Sequence, residues 1–267
     1  MAACGIVTSL DPANLMSIAV GLAGGLLSGL FGIGGGIVLV PLLGFVLGLG
    51  QQDAQGVTLA VLLLPIGLPA VLAYRKRVAI PWRLVAALIA GFVAAVGPGA
   101  RVALATEERG LRALFAGLVV VAAVQAWRRS VAPRGQPSGN PPPVRSSWNG
   151  LWIGAAGGFL AGLFGVGGGI VMIPLLVAAM RLDQHEAQAV SLAVMLPPVG
   201  LPGVLAYAQA KDSLPWAIML LVAAGFATGA FLGARFAVRL HTARLSRAFS
   251  VFLVAVAVRI LWTAVRG

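Results

Sequence analysis

The sequence is poor in cysteine, histidine and charged residues. Its 267 residues include one cysteine, Cys4, and two histidines, and charged residues make up 10% of the chain. A lone cysteine excludes a disulfide within the chain and a cysteine-based metal cluster. Soluble domains carry about 25% charged residues. The low charge therefore excludes an ordinary soluble domain.

The few acidic residues lie in loops or at the ends of apolar segments. They are Asp11, Asp53, Glu107, Glu108, Asp183, Glu186 and Asp212. No carboxylate is placed inside a segment, where it could serve a proton relay or a Na⁺ site. No nucleophile, acid–base pair or metal cluster is placed there either. We therefore expect no enzymatic activity, no cofactor and no bound metal.

Apolar sequence is what the chain has in abundance. Hydrophobic residues make up 60% of it, and the mean hydropathy is +0.99. Apolar runs near the length of a membrane crossing, about 20 residues, recur from end to end, which predicts a bundle of membrane helices. The formal charge is +12, but the basic residues sit in short loops between the runs, as membrane topology requires. The expected partner is the lipid bilayer, not nucleic acid.

The apolar sequence occurs twice. Residues 21–43 and 154–176 are identical at 17 of 23 positions, at an offset of 133, and 53–74 matches 186–207 at the same offset. Self-similarity at a fixed offset constrains the whole architecture. It indicates a duplication that covers nearly the whole protein.

The duplication defines one transmembrane domain over 1–267. Repeat 1 is predicted over about 13–127 and repeat 2 over about 148–264, joined by a Pro-, Gly- and Ser-rich linker at 128–147. Such composition predicts a flexible or extended loop. Each repeat holds five apolar segments. In order they are a (13–31), b (34–49), c (54–74), d (80–104) and e (110–127), then a′ (148–164), b′ (167–180), c′ (187–207), d′ (214–238) and e′ (245–264).

The basic loop changes place between the repeats. In repeat 1 it joins c to d and contains residues 75–77 with no acid, whereas the c′–d′ loop holds only Lys211 and Asp212. In repeat 2 the basic loop joins d′ to e′. Since basic loops stay cytoplasmic, the sequence predicts inverted repeats, an architecture of transporters whose site lies near the midplane. Segments a and b either both cross the membrane or form a re-entrant pair.

Runs of glycine interrupt both halves at the start of b and b′. They read Gly-Ile-Gly-Gly-Gly at 32–36 and Gly-Val-Gly-Gly-Gly at 165–169. Glycine permits positive φ and a close approach of ligand to backbone, and a new helix N-terminus offers free N–H groups to an anion. The candidate ligands are Gly34, Gly35, Gly36, Ile37, Gly167, Gly168, Gly169 and Ile170. For the spaced glycines Gly21, Gly25, Gly29, Gly154, Gly158 and Gly162 we prefer helix packing.

Prolines interrupt segments c and c′. Proline inside a helix removes a hydrogen bond and kinks or breaks the helix. The alternative is an ordinary kink, but two prolines flank a glycine in both halves, which favours an unwound stretch that lines a site. The candidates are Pro65, Gly67, Pro69, Pro198, Gly200 and Pro202, and Pro197 is an additional proline in the second half.

The remaining polar positions are few. Thr58 matches Ser191 across the repeat, and Gln55 matches Gln188. Thr58 and Ser191 are candidate contacts, although hydroxyls inside helices often bond to their own helix. Tyr74, Tyr207, Trp82 and Trp216 are predicted to be interfacial anchors. Arg101 and Arg235 are predicted to snorkel to the interface, which we prefer to an anion-attracting role.

The doubled motif G-G-x-x-S/A-G-L-F-G-I/V-G-G-G-x-x-x-x-P resembles that of the sulfite exporter TauE/SafE family, also called TSUP, over roughly 15–264. The resemblance implies a carrier of the bacterial inner membrane for small sulfur-containing anions: sulfite, thiosulfate or organosulfonates such as sulfoacetate. It identifies the family, not the cargo or the number of subunits.

Export by alternating access is the expected activity. An inside-negative potential drives anions outward by about 2.3 kcal/mol per charge per 100 mV, so export needs no coupling ion. The alternatives are an anion channel and an uptake permease for sulfonates coupled to H⁺ or Na⁺. An intramembrane enzyme is disfavoured by the lack of catalytic groups.

Overall fold

The computed structural model describes residues 11–31, 35–64, 68, 71, 80–131, 147–182, 184–210, 215–237 and 242–266. Over these residues the chain folds into eleven helices and no strand, so the all-α prediction is confirmed. The helices of the first half are α1 (Pro12–Phe31), α2 (Gly36–Val46), α3 (Gln51–Val61), α4 (Trp82–Ala105) and α5 (Glu108–Val131). Those of the second half are α6 (Ser147–Phe164), α7 (Gly169–Met180), α8 (Gln184–Val194), α9 (Leu201–Ala210), α10 (Trp216–Ala237) and α11 (Thr242–Arg266).

Four helices are long and apolar enough to cross a membrane: α1, α4, α5 and α10. Large apolar side chains on them stand exposed, as a surface facing lipid requires. Shorter helices of similar polarity, α2 and α7, lie between the long ones in sequence. The predicted multi-pass membrane protein is therefore confirmed.

The long helices pair across the two halves through glycines. Helix α1 packs against α10, and α4 packs against α6. A Cβ at Gly21 or Gly25 would overlap backbone atoms of α10, and one at Gly154, Gly158 or Gly162 would overlap backbone atoms of α4. Small residues allow such close backbone approach between membrane helices. The packing role is confirmed for these five glycines.

Both glycine-paired helix pairs run parallel. Along α10, Gly225, Gly229 and Gly233 meet the carbonyls of Ile18, Leu22 and Leu26 in that order. Along α6, Gly154, Gly158 and Gly162 meet the carbonyls of Leu88, Phe92 and Val96 in that order. Segment a of each half is thus seated on segment d of the other half, which interlocks the two repeats.

Segment c′ is broken near its centre. Helix α8 ends at Val194 and α9 begins at Leu201, and between them the Val199 N–H donates to the Pro197 carbonyl at 2.7 Å. In the first half α3 ends at Val61, and Pro65, Gly67 and Pro69 lie outside the described residues. The interruption predicted from the prolines is present in c′.

Several predicted boundaries shift. Helix α3 begins at Gln51, three residues before the predicted start of c, because the Glu108 carboxylate accepts the Gln51 N–H at 2.8 Å and caps the helix from another segment. Helix α5 runs to Val131 and α6 begins at Ser147. The ends of the predicted linker are therefore helical, and its remaining residues, 132–146, lie outside the described part.

Candidate functional site

The glycine runs of the two halves meet at the centre of the bundle. A Cβ at Gly36, the first residue of α2, would overlap the backbone of Val166 in the second run. A Cβ at Gly35 would overlap the ring of Phe226, at the middle of α10. Correspondingly, a Cβ at Gly168 would lie 2.7 Å from the ring of Phe92, at the middle of α4. The broken helices therefore meet near mid-depth of the long apolar helices.

Glycine is needed for different reasons along the second run. Gly165 and Gly167 have φ of +69° and +72°, a left-handed conformation that glycine adopts at little cost. Gly168 has a φ of −70°, and Gly35 in the first run has −66°. Positive φ, which glycine permits, is therefore used at Gly165 and Gly167 but not at Gly35 or Gly168. Those two are restricted by the phenylalanine rings instead, and Gly34 lies outside the described residues.

One face of α3 looks onto the second glycine run. A Cβ at Gly165 would lie 2.6 Å from Gln55 Cα, and one at Gly167 would lie 3.1 Å from Leu62 Cδ1. Residues spaced by three and four share a helix face, so Thr58 lies on the same face, between Gln55 and Leu62. The left-handed glycines are therefore opposite a short polar strip of α3.

Two polar atoms on this strip are buried and unpaired. Gln55 and Thr58 are both 0% exposed. Among the described residues, Gln55 Nε2 and Thr58 Oγ1 have no hydrogen-bond partner. A buried donor without a partner costs about 1–3 kcal/mol, and native structures retain few of them. The helix that carries both donors contacts the second glycine run at Gln55, and a ligand bound there could satisfy them.

Thr58 differs from Ser17 and Thr228, two other hydroxyls that lie within helices. Ser17 Oγ donates to the Ala13 carbonyl at 2.9 Å, and Thr228 Oγ1 donates to the Ala224 carbonyl at 2.9 Å. Those two follow the usual bond to the preceding turn. The Thr58 hydroxyl does not, which removes the ordinary structural explanation for it.

Tyr207, from the second half, contacts the polar strip at Gln55. It is 0% exposed, so its predicted role as an interfacial anchor is wrong. Its hydroxyl lies 3.0 Å from Gln55 Oε1 and 3.1 Å from the Gly162 carbonyl oxygen. Trp82 and Trp216, by contrast, are exposed, as anchors should be. We call Gln55, Thr58, Gly165, Gly167 and Tyr207 the central site.

A helix N-terminus adjoins the central site. The Met172 N–H donates to the Gly168 carbonyl at 2.7 Å as the first turn of α7 closes. The N–H groups of Gly169 and Ile170 precede that bond and have no partner within the helix. They add partial positive charge where α7 begins. The N-terminus of α7 therefore directly follows the glycine run that α3 contacts.

Two of the other predicted site residues contact helices of the first half. Gly200 lies against Leu59 of α3 and against Leu63, two residues after its end, and Pro202 lies beside Gly97 of α4. Pro198 is exposed, and Ser191, Ile37 and Ile170 are buried.

Sequence reasoning gave too little weight to Gln55 and assigned Tyr207 elsewhere. The signal was available, since both positions are repeated across the halves. Membrane helices seldom retain buried amides without a purpose. Among the described residues no cluster of His, Cys, Asp or Glu could hold a metal ion.

Comparison with known proteins gives a consistent result. The family model described as Sulfite exporter TauE/SafE matches residues 17–260. A probable membrane transporter protein of Xylella fastidiosa (strain Temecula1 / ATCC 700964) is 28% identical over 264 residues, covering 96% of this chain and 95% of that protein. The probable membrane transporter protein YunE of Bacillus subtilis (strain 168) is 25% identical over 272 residues, covering 93% of this chain and 97% of that protein. No solved structure matches.

Proposed function

Because the chain belongs to the sulfite exporter TauE/SafE family, we propose that it carries a small sulfur-containing anion out of the cell across the bacterial inner membrane. The candidate substrates are sulfite, thiosulfate and organosulfonates such as sulfoacetate. One observation supports this most: Gln55 and Thr58 hold unpaired buried donors on a helix that contacts a left-handed glycine run at mid-depth. The proposal gives the chain no enzymatic activity.

The anion would bind where the halves meet. Gln55 Nε2 and Thr58 Oγ1 would each donate to one of its oxygens, and the first N–H groups of α7 would donate to another. Gly165 and Gly167 have no side chain, so the ligand can approach their backbone closely. Binding would give acceptors to donors that are otherwise buried without partners. This gain would lower the free energy of the ligand-bound state.

The halves would be inverted, and two sets of contacts support this. Helices α3 and α9 run in opposite directions, because Gly203 lies against Leu59 while Tyr207 reaches back to Gln55. They are the first part of c and the second part of c′. If each broken segment keeps its direction, c and c′ cross the membrane in opposite senses, as inverted repeats require.

The last helices give a second set of contacts. Arg259, near the end of α11, lies with its guanidinium carbon 4.3 Å from the centre of the Phe45 ring. Phe45 shortly precedes Gln51, whose N–H binds Glu108 at the start of α5. The end of α11 is therefore on the side where α5 begins, and the two helices pack together. Segments e and e′ would accordingly be antiparallel.

Topology has a direct test. A reporter at Arg77 should be cytoplasmic and one at Asp212 external, and both positions lie outside the described residues. Both reporters on the same side would contradict the inverted arrangement.

Transport itself is tested by counterflow. The purified chain, reconstituted in proteoliposomes, should exchange internal unlabelled anion for external radiolabelled sulfite, thiosulfate or sulfoacetate, with saturable kinetics. Protein-free liposomes are the control. If none of the three exchanges through folded protein, the proposed function is wrong. Single-channel conductance in a planar bilayer would indicate a channel. Accumulation driven by an imposed H⁺ or Na⁺ gradient would indicate an uptake permease.

A further inference from the structure

The central site is built from donors that carry no charge. We propose that it accepts an oxyanion with a single negative charge, of the sulfonate or hydrogensulfite type, and rejects doubly charged oxyanions of similar size. Among the candidate substrates it would therefore favour hydrogensulfite over thiosulfate and sulfoacetate, which carry two negative charges at neutral pH. This inference rests on the proposed transport function and names the substrate class of the same site. Three properties of the molecule support it: the neutrality of the surrounding segments, the identity of the donors, and the way Tyr207 holds Gln55.

The segments that build the site carry no basic side chain. Segments b, c, b′ and c′ contain no Asp, Glu, Lys, Arg or His, and the earlier first turns of α3 and α8 add the acidic residues Asp53 and Glu186 but no Lys or Arg. The basic residues of the adjacent long helices lie elsewhere: Arg83, Arg101 and Arg235 are exposed. A bound anion would therefore find hydrogen-bond donors and the N-terminus of α7, but no full positive charge within these segments.

Charge strongly affects the cost of entering such a site. The Born cost of moving an ion out of water grows with the square of its charge, so a dianion pays about four times as much as a monoanion of equal size. A helix N-terminus contributes only about half an elementary charge. Neutral donors and one helix end can compensate a single charge far more completely than two.

Tyr207 determines which end of the Gln55 amide faces the ligand. Its hydroxyl has one proton for two acceptors, Gln55 Oε1 and the Gly162 carbonyl. While that proton goes to Gln55, the amide oxygen is held by Tyr207 and Nε2 stays free as a donor. Without the Tyr207 hydroxyl the amide could turn and present its oxygen instead. Tyr207 is thus a positioning residue that makes the site select acceptors.

The charge inference is tested on the unmodified protein in proteoliposomes. Methanesulfonate, a monoanion, and sulfate, a dianion of similar size, compete with radiolabelled sulfite in counterflow. We expect the inhibition constant of methanesulfonate to be at least about tenfold lower than that of sulfate. This factor corresponds to only a small part of the difference between their Born energies. Equal competition by sulfate would overturn the inference while leaving the transport function intact. Absence of counterflow with sulfite, thiosulfate and sulfoacetate alike would instead refute the transport function.

The pH dependence of sulfite transport adds a second test. Hydrogensulfite loses its proton near neutral pH, so the fraction of monoanion falls as the pH rises, whereas methanesulfonate keeps one charge throughout. Besides Tyr207, the titratable residues on the helices of the site are Asp53 in the first turn of α3 and His185 and Glu186 in the first turn of α8. Any effect of their titration would act on methanesulfonate as well as on sulfite, so methanesulfonate serves as the control. The apparent affinity for sulfite should therefore fall with rising pH while that for methanesulfonate stays level. A level profile for sulfite would contradict the preference for the monoanion.

The positioning role of Tyr207 is tested by a ratio of affinities. Methanesulfonamide has nearly the shape of methanesulfonate but is neutral and presents an N–H donor. The unmodified protein should bind methanesulfonate more tightly than methanesulfonamide. Tyr207→Phe should reduce this ratio of affinities about tenfold, because a hydrogen bond to a charged group is worth about that factor. A general packing defect would weaken both ligands alike and leave the ratio unchanged, which would refute the positioning role. Gln55→Met, which removes the amide, should reduce the ratio in the same direction and serves if the tyrosine variant does not fold.

Discussion

Glycine serves two different purposes in this molecule. The spaced glycines of α1 and α6 allow helix packing, whereas glycines of the second run adopt a left-handed backbone. At Gly158 a side chain would overlap the backbone of Phe92 in the neighbouring helix. At Gly167 a side chain would meet only Leu62 Cδ1, but φ is +72°. Gly158 must be glycine because the neighbouring helix leaves no room for a side chain. Gly167 must be glycine because of its own backbone conformation.

This difference separates architecture from function. Spaced glycines bring helices of opposite halves together and fix the interlocked frame. The loop glycines leave room beside two unpaired donors, where a side chain would compete with a ligand. Substitutions should therefore divide into those that destroy the fold and those that leave the fold but weaken binding.

The largest expected effect is at the helix contact. Gly158→Ala places a Cβ on the backbone of α4, which cannot move aside as a flexible side chain can, and should lower the free energy of unfolding by about 3 kcal/mol or more. Thermal denaturation and size-exclusion profiles in detergent measure it. Gly117→Ala is the matched control, because no atom lies within 4 Å of a Cβ there; it should be neutral or slightly stabilising. Equal stability of both variants would show that the helix pair is looser than the structure indicates.

The next effect is at Gly35, where the obstacle is a side chain. Gly35→Ala should lose about 1–3 kcal/mol, because the new methyl overlaps the Phe226 ring. Phe226→Ala removes that ring and leaves a cavity, with its own cost. In a double-mutant cycle the two changes should cost less together than the sum of the single changes. Additive costs would mean that the ring does not restrict Gly35. Gly35→Val is therefore a poor probe of binding, since its first effect is on packing.

Much of this arrangement could be predicted from sequence. The duplication, the helix content and the roles of Gly21 and Gly154 follow from spacing and hydropathy, which are local properties. The central site was predicted only in part. Tyr207 resembles an interfacial anchor in sequence because it ends an apolar run. Only the three-dimensional packing of α9 against α3 brings its hydroxyl to Gln55. Gln55 and Tyr207 are 152 positions apart, so the local periodicity of the sequence cannot predict their contact.

A moderate effect is expected at the left-handed glycine. Gly167→Ala should cost about 1–2 kcal/mol, the usual price of a Cβ in this conformation. Gly167→Asn should cost less, because asparagine tolerates it better. Both variants should bind sulfite more weakly than their stability loss explains, because each puts atoms where the ligand would approach. Thermal denaturation and counterflow on the same preparations separate the two effects. Normal sulfite affinity in both variants would show that the loop glycines serve only the backbone.

The smallest effect on stability has the opposite sign. Thr58→Val keeps the branched shape of the side chain and removes a buried hydroxyl that has no partner among the described residues. Because the folded state no longer buries an unsatisfied donor, the free energy of unfolding should stay level or rise by up to about 1 kcal/mol. Sulfite affinity should nevertheless fall about tenfold, because a hydrogen bond to a charged ligand is lost.

Thr228→Val is the control, since that hydroxyl is exposed and bonded to its own helix. It should change neither the free energy of unfolding nor the sulfite affinity much. A Thr58→Val protein that binds sulfite like the parent would remove Thr58 from the site. One that is clearly destabilised would show that the hydroxyl already has a structural partner.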